Sequence, residues 1–555
     1  MRRPDTASRA IRDILNGPLN ASTRLALCVI SGIALGVAFP KFDINLLAWI
    51  AFVPLLQAIE GESMGRVFGY AFFQALVCYV ISLYWIEYTL HHFAGVNPIL
   101  AAGPLVLLAA IMALFAGLAI WAAEFTTVRL GLPIFVTLPI AWPAVEWLRS
   151  FFPIGFPWNL LGYTAYRNLQ LIQFAEITGV YGVSALIVFF NAVVFVVIFG
   201  HHTRRVQTWS LGTLTALMLA VLAFGAIRMD TLASERPAGK IRVAMVQGDI
   251  PQSIKWDPGF LASSFDVYVD QTEQAARHHV DLVVWPEAAA AFFFQPTPLY
   301  PPRFAADAIY RDRLLKLATD TATPILFGAP ALGVAPDGVV GTYNRAYLVS
   351  GEGKVAGFYD KIQLVPFGEY VPMRPLLGLI VNRIVHGFGD MIPGTAQTLF
   401  PVKGAQLAVL ICYESIFPDL TRRAVKGGAN VLLNITNDAW YGESSAPYQL
   451  LAMAAMRTVE TKVPMVRVAN TGVSAIIDAD GSITARTPLF KRGTEIEDVS
   501  WRPRRTIYTM AGDLFSEVCF VLTLVGVLLA ILRGRGAQAM PSPVAGALNR
   551  NGKSG

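Results

Sequence analysis

Eight long apolar runs constrain the fold of this chain more than any other feature of its sequence. Each run approaches the length of about 20 mainly apolar residues that a helix needs to cross a bilayer. Lipid offers the backbone no hydrogen-bond partners, so we expect each run to be a helix. The runs cover residues 24–40, 44–60, 67–90, 98–122, 131–150, 177–200, 209–228 and 514–533.

Three of these predicted spans need a closer reading. Prolines interrupt the second and the fifth, and proline removes a helical hydrogen bond; they are Pro54, Pro133, Pro139 and Pro143. The first run follows four arginines, Arg2, Arg3, Arg9 and Arg12, which is also how a cleaved signal peptide begins. No clear small-residue cleavage site follows that run and further spans do, so we expect a retained anchor.

Basic residues predict how the spans are oriented. The arginine-rich N-terminus should stay in the cytoplasm, and alternation then places three basic loops on the same side, those with Arg66, Arg129 and Arg204. The loop at 91–97 has no Lys or Arg and falls outside. The pattern favours an even number of spans and puts residues 240–508 on the outer face. One group disagrees, because it precedes the last span on that outer side: Arg502, Arg504 and Arg505.

The sequence divides into four parts by composition. We expect a membrane domain of about seven helices at 1–230, a globular domain at 240–508, a final membrane helix at 514–533 and a disordered polar tail at 536–555. Strand and helix patterns alternate in the globular part, which predicts an α/β layered fold. The net charge of +6 is modest and the arginines lie mostly beside apolar runs. Membrane orientation therefore explains them better than nucleic-acid binding does.

Three polar residues of the globular part lie where predicted strands end. Cys412 follows the apolar run 407–411, Glu287 follows VDLVVWP, and Lys361 ends KVAGFYDK. Cys412 is the only thiol in this domain, and no cysteine pair has metal-ligand spacing, so we predict neither a disulfide there, nor a metal site, nor a cofactor. Alone, each residue fits an ordinary core or loop position. Together they supply a nucleophile, a base and a cation, which acyl transfer requires.

Three segments resemble the signatures of the carbon–nitrogen hydrolase (nitrilase) superfamily. They are WPE at Trp285–Glu287, DKIQLVPFGEYVP at Asp360–Pro372 and CYES at Cys412–Ser415. The resemblance implies an αββα sandwich with a Glu-Lys-Cys triad. A domain of this kind between seven spans and one more is similar to the apolipoprotein N-acyltransferases of the bacterial inner membrane. Three further segments resemble that family: VQGDIPQSIKWDPG, GFPWNLLGY and ICYESIFP.

That resemblance implies a role for each matching residue. Glu287 would be the general base for Cys412, and Lys361 would stabilise the oxyanion. Supporting roles would fall to Glu369, which orients the triad, and to Tyr413 and Glu414 beside the nucleophile. Trp256 would contact substrate, although a packed aromatic at a domain edge fits equally well. His386 is rejected as the base because HGFGD reads as a flexible loop.

The implied reaction is a two-step transfer through a cysteine thioester. The expected partners are a phospholipid acyl donor, a diacylglyceryl lipoprotein acceptor and the bilayer, with the catalytic domain on the periplasmic face. One alternative is a membrane-tethered amidase or nitrilase, which would pass the same acyl group to water. Another is a transporter or binding module with a relict hydrolase domain. Two apolar loops, Ala289–Phe294 and Ala439–Tyr441, are predicted to be either mobile lids or membrane-facing packing.

Overall fold

The computed structural model describes residues 19–93, 95–152, 155–199, 203–295, 307–335, 338–372, 391–503 and 505–538. His386 and residues 539–555 of the predicted tail lie outside these ranges. Residues 536–538, the start of that tail, form the end of the last helix.

The first half of the described chain is helical. Every apolar run predicted before residue 230 coincides with one or two helices. These are α1 (Ala21–Gly36), α2 (Phe52–Ile59), α3 (Met64–Ser82), α4 (Trp85–His92), α5 (Pro98–Leu130), α6 (Ile134–Arg149), two short helices α7 (Leu169–Ile172) and α8 (Ala175–Thr178), α9 (Val180–Ile198) and α10 (Arg204–Ser234).

Five helices of the described chain are long and apolar enough to cross a membrane by length and composition. They are α3, α5, α9, α10 and residues Leu514–Arg533 of the C-terminal helix. The other predicted spans are helical but shorter: α1 and α6 have 16 residues each, and the second run is a 3-10 turn followed by α2. Their crossing of the bilayer stays a prediction. Pro139 and Pro143 lie inside α6 without ending it.

The termini of α5 show how local sequence sets its bounds. The Asn97 side chain accepts a hydrogen bond from the Ile99 amide, and Pro98 occupies the first helical position, where its missing N–H costs nothing. At the other end Gly131 has φ +74, a left-handed conformation that glycine adopts without strain. The 33 residues between these signals form one continuous helix.

The globular part is a sandwich of two six-stranded sheets. Its strands are β1 (Gly239–Gln247), β2 (Leu282–Val284), β3 (Ile325–Val334), β4 (Val340–Val349), β5 (Val355–Asp360), β6 (Leu399–Val402), β7 (Ala405–Ile411), β8 (Val431–Thr436), β9 (Met465–Ala469), β10 (Ala475–Ile477), β11 (Ile483–Arg486) and β12 (Gly493–Trp501). The first sheet has the order β12-β1-β2-β3-β4-β5 and the second β11-β10-β9-β8-β7-β6. In each sheet the three central strands are parallel, β1-β2-β3 and β7-β8-β9.

Alternation along the strands separates two buried layers. In β2, Leu282 and Val284 join the core between the sheets, whereas Val283 packs toward the helices. The helices that cover the outer faces are α11 (Leu261–Ala276) and α12 (Asp307–Thr321) on the first sheet, and α13 (Pro418–Lys426) and α14 (Ala446–Thr461) on the second. The predicted αββα sandwich is confirmed. After it come the short helix α15 (Ile507–Ala511) and α16 (Leu514–Gln538).

Helix α14 joins the sandwich to the helical half of the chain. All its residues are buried except Tyr448. The Trp158 indole donates to Gln449 Oε1 at 2.7 Å, and Gln449 Nε2 donates to the carbonyls of Pro40 and Ser82 at 2.9 and 2.8 Å. One turn of helix therefore fixes three separate segments of the membrane domain against the sandwich.

Candidate active site

Cys412 lies where β7 ends and a one-turn 3-10 helix, Cys412–Ile416, begins. Its φ of +53 is left-handed, a strained conformation for a residue with a Cβ. The Asn434 side chain holds it there by donating to the carbonyls of Leu410 (2.9 Å) and Cys412 (3.3 Å). Strain of this kind is typical of functional sites, and here it turns the thiol away from the line of the strand.

Glu287, three residues after β2, is the carboxylate nearest this thiol. Its Oε1 accepts from Asn344 Nδ2 at 2.7 Å and from Lys361 Nζ at 3.4 Å, and its Oε2 accepts from the Asn437 amide at 2.9 Å. Interaction with the Cys412 side chain also lowers the pKa of Glu287. Burial favours the neutral acid, but the charge of Lys361 and these hydrogen bonds outweigh it and lower the pKa of Glu287.

Lys361 follows β5 directly and is 1% exposed. Its ammonium donates to Glu369 Oε1 at 2.8 Å as well as to Glu287. Burial alone would lower the pKa of Lys361, but the negative charges of Glu369, Glu287 and Cys412 raise it above its usual value. This side chain is therefore a fixed positive charge at any physiological pH.

The thiol itself is protonated at rest. Burial raises the pKa of Cys412, the charge of Glu287 raises it further, and Lys361 opposes both. A stable thiolate is thus disfavoured, while the adjacent Glu287 carboxylate is ionised and can accept a proton. The arrangement suits a thiol that loses its proton to Glu287 as it attacks.

Two supporting carboxylates predicted from sequence lie in the same place. Glu369 Oε2 accepts from the Val365 amide at 2.8 Å, so this side chain closes the loop after Lys361 around the lysine. Glu414 is fully buried and accepts four hydrogen bonds, from Tyr359, Ile362, Gln363 and Ile411. Burial raises the pKa of Glu414 to about 7, although the hydrogen bonds from backbone amides act in the opposite direction and lower it.

The other predicted residues are placed less tightly. Tyr413 is buried, its ring packs edge-on against Phe417, and within the described chain its hydroxyl has no hydrogen-bond partner. Trp256 is 38% exposed at the surface of the sandwich. Its contact with substrate stays a prediction.

Sequence reasoning missed several residues that complete the site. Asn344, in the middle of β4, donates to both Glu287 and Glu369. Lys255 is 3% exposed and donates to the Glu287 backbone carbonyl at 3.0 Å. Lys255 precedes Trp256 in a segment already singled out, but a lysine in a polar loop carries no sign of burial. Only the packing of the loop against the sheets reveals it.

Aromatic side chains of the membrane domain approach the site from one side. Tyr441, whose hydroxyl interacts electrostatically with Cys412, packs against Trp85 with 5.1 Å between ring centroids and against Trp158 with 6.4 Å. Trp158 lies in the segment GFPWNLLGY after α6, which Glu146 anchors by accepting from the Leu161 amide at 2.7 Å. Glu146 therefore has a structural role inside the helical half.

Only one of the two apolar loops faces the membrane domain. Residues 439–441 pack there through Tyr441, and Trp440 lies edge-on to Phe93. The loop Ala289–Phe294 does not, because Phe292 and Phe294 are 2% and 1% exposed inside the sandwich core. Membrane-facing packing was wrong for these two rings, whereas the mobility of the loop stays a prediction. Phe292 packs with Phe265 and Tyr310 of α11 and α12, and Phe294 with Phe327 and Tyr347 of β3 and β4.

Metal chemistry has no candidate among the residues that the structure describes. Nowhere in those ranges do three or more His, Cys, Asp or Glu side chains gather as they would around an ion.

Comparison with known proteins places the chain in a family. Residues 31–193 match the apolipoprotein N-acyltransferase N-terminal domain, and residues 242–505 match the carbon–nitrogen hydrolase domain. The apolipoprotein N-acyltransferase of Geobacter metallireducens is 39% identical over 91% of this chain and 95% of its own length. The chain belongs to the apolipoprotein N-acyltransferase family. It is thus a membrane-associated acyltransferase of the carbon–nitrogen hydrolase superfamily.

The chain is also similar to a second apolipoprotein N-acyltransferase and, more weakly, to a solved amidase. The apolipoprotein N-acyltransferase of Brucella melitensis is 32% identical over 93% of this chain and 96% of its own. A solved amidase from Nesterenkonia sp. is 22% identical, with a TM-score of 0.33, over 47% of this chain and 89% of its own.

Proposed function

We propose that Cys412 carries an acyl chain from a membrane phospholipid to the N-terminal amine of a diacylglyceryl-cysteine lipoprotein. The observation that carries this proposal is the convergence of Cys412, Glu287 and Lys361, which come from three separate strand ends in both sheets. The family membership of the whole chain supports the choice of lipid donor and lipoprotein acceptor.

The first step forms a thioester. As Cys412 Sγ attacks the ester carbonyl of the phospholipid, its proton passes to Glu287, and the carbonyl oxygen becomes an oxyanion that Lys361 stabilises. Collapse of the tetrahedral intermediate breaks the ester C–O bond. Glu287 returns its proton to the leaving oxygen, so a lysophospholipid departs and the acyl group stays on sulfur.

The second step transfers the acyl group from Cys412 to an amine. The neutral N-terminal amine attacks the thioester carbonyl, Lys361 again stabilises the oxyanion, and Glu287 takes the proton that the new amide nitrogen releases. The C–S bond then breaks and the proton returns to Cys412. The lysophospholipid leaves before the amine binds, which makes the reaction ping-pong.

The membrane domain supplies proximity. Both substrates are anchored in lipid, so a site held against the bilayer gains effective concentration without a soluble carrier. The aromatic wall of Trp85, Trp158 and Tyr441 beside Cys412 supports this arrangement, since it gives an acyl chain an apolar surface and limits access of water. We place the catalytic domain, residues 240–508, on the periplasmic face of the bacterial inner membrane, from the distribution of basic residues.

The test is mass spectrometry of the intact protein after exposure to phospholipid. We expect an added acyl mass on Cys412 that hydroxylamine removes, because hydroxylamine cleaves thioesters. Cys412→Ser should lose the hydroxylamine-labile mass. Cys519→Ser is the matched control, since Cys519 is also buried but lies in α16, and it should be acylated normally. A labile acyl mass on Cys412→Ser would exclude Cys412 as the nucleophile.

A second measurement separates transfer from hydrolysis. The acylated protein is given a diacylglyceryl peptide, and we expect the acyl mass to move to the peptide amine faster than it is lost to water. Release of free fatty acid at an unchanged rate, with no acylated peptide, would instead favour the membrane-tethered hydrolase.

A further inference from the structure

Lys255 is a buried charge to which the reaction above gives no role. It lies in the loop between β1 and α11, is 3% exposed, and donates to the Glu287 carbonyl at 3.0 Å. Among the described residues, no carboxylate forms a direct ion pair with it. Its electrostatic partners are Glu287 and Cys412, two of the three reacting side chains.

The surrounding contacts hold Lys255 in place. Asn470 Nδ2 donates to the carbonyl of Ile250 at 2.8 Å, and Asn437 Nδ2 donates to Gln252 Oε1 at 2.8 Å. The backbone amide of Asn437 also donates to Glu287 Oε2. The loop that carries Lys255 and the carboxylate of Glu287 therefore share one anchor, so their separation is fixed.

Charge balance gives this lysine a reason to be there. Lys361 serves two carboxylates, Glu287 and Glu369, which leaves the trio with one surplus negative charge. Asp438, Lys361 and Tyr441 also face Cys412, and of these only Lys361 is cationic. Arg467 pairs with Asp438 at 2.7 Å, so a protonated Lys255 offsets the surplus negative charge of Glu287, Lys361 and Glu369. Burial lowers the pKa of Lys255 to about 8, although Glu287 and Cys412 raise it, so it is mostly charged at pH 7.

We propose that Lys255 is the second cation of the active site, a positioning residue that fixes Glu287 and offsets the negative charge shared by Glu287 and Cys412. This inference rests on the proposed role of Cys412. Lys361 then stabilises the oxyanion and Lys255 stabilises the developing thiolate, so the two lysines act on different atoms.

The test measures alkylation of Cys412 by iodoacetamide against pH, read on the Cys412 peptide by mass spectrometry. In Lys255→Met we expect alkylation at pH 7 to slow about tenfold, because an opposite charge nearby shifts a pKa by about one unit. The difference from wild type should fade above about pH 8, where Lys255 itself becomes neutral. Lys255→Arg keeps the charge and should stay close to wild type. Thioester formation from phospholipid should follow the same ranking.

Lys462→Met is the matched control. Lys462 is equally buried, and burial lowers its pKa to about 8 as well, but it contacts Gln173 and Glu176 of the membrane domain. This variant should be alkylated at the wild-type rate at pH 7. An unchanged rate at pH 7 in Lys255→Met, equal slowing in folded Lys255→Arg, or equal slowing in Lys462→Met would each overturn the proposal. A wild-type protein that forms no thioester would overturn the proposed function, while the alkylation series would still report on Lys255.

Discussion

At the scale of single residues, Glu414 has the most direct control over the geometry of the site. One of its oxygens accepts from the amides of Ile362 and Gln363, immediately after Lys361. The other accepts from the amide of Ile411, immediately before Cys412. A single carboxylate therefore joins the first sheet to the second at the point where the cation meets the nucleophile.

Replacing Glu414 by Gln should separate those segments. The carboxylate only accepts hydrogen bonds here, whereas the amide NH2 must face at least one N–H donor in either orientation. We expect Glu414→Gln to lose about 1–3 kcal/mol of stability, the cost of a buried unsatisfied pair, in thermal unfolding. Thioester formation should slow by at least about tenfold. Glu497→Gln, at an exposed position in β12, is the control. Equal behaviour of the two variants would contradict the role of Glu414 in joining the two sheets at the site.

The residues that sequence could predict were those inside recognisable segments. Glu287, Lys361 and Cys412 each follow a strand, and the structure brings all three together with Glu369 and Glu414. Asn344 and Lys255 could not be predicted, because nothing local distinguishes a buried Asn in a strand or a buried Lys in a loop. Their environment is built by residues more than 30 positions away, Glu287 in both cases.

At the scale of elements, the alternating strand and helix patterns predicted the α/β layered fold, and the family resemblance implied the two-sheet sandwich. The sequence also predicts helices at Pro418–Lys426 and Pro447–Lys462, which match α13 and α14 within one residue. Helix periodicity predicted the junction poorly. The burial of α14 on all sides was not predictable. It depends on contacts with Pro40, Ser82 and Trp158, whose proximity follows from how the membrane helices pack. The short lengths of α1 and α6 were missed because apolar runs continue beyond helix ends.

Gln449 of α14 provides a test of that junction. Gln449→Leu removes an acceptor and two donated hydrogen bonds. The buried Trp158 N–H and the Pro40 carbonyl are then unsatisfied, and the Ser82 carbonyl keeps only the Ser445 hydroxyl at 3.2 Å. We expect a loss of about 2 kcal/mol or more in thermal unfolding, since each unsatisfied group costs about 1–3 kcal/mol. Limited proteolysis should release the sandwich sooner. Tyr448→Phe, at the half-buried position beside it, should unfold like wild type. An equal loss of stability in this variant would mean that the substitutions weaken helix α14 itself rather than its contacts with the membrane domain.

At the scale of the whole molecule, the side of the membrane that holds the sandwich decides which substrates reach Cys412. The distribution of basic residues predicts that the domain lies outside, but Arg502 and Arg505, near the start of the last helices, are exceptions to the positive-inside rule. The structure gives a direct test through two exposed side chains. Lys316 lies on α12 of the sandwich and is 73% exposed, and Arg66 begins α3 on the predicted inner side and is 71% exposed.

Cysteine introduced at these positions should react differently with a membrane-impermeant maleimide. All four native cysteines are buried, so background labelling is low. In spheroplasts we expect Lys316→Cys to label at once and Arg66→Cys to label only after permeabilisation, because charge retention holds Arg-rich loops inside. Labelling of Arg66→Cys alone would invert the topology, and labelling of both without permeabilisation would imply an even number of spans between them, not the five predicted. The first result would place Cys412 away from the outer leaflet, and the second would exclude the count of eight spans. Either one would contradict the proposed route by which two lipid-anchored substrates meet one thiol.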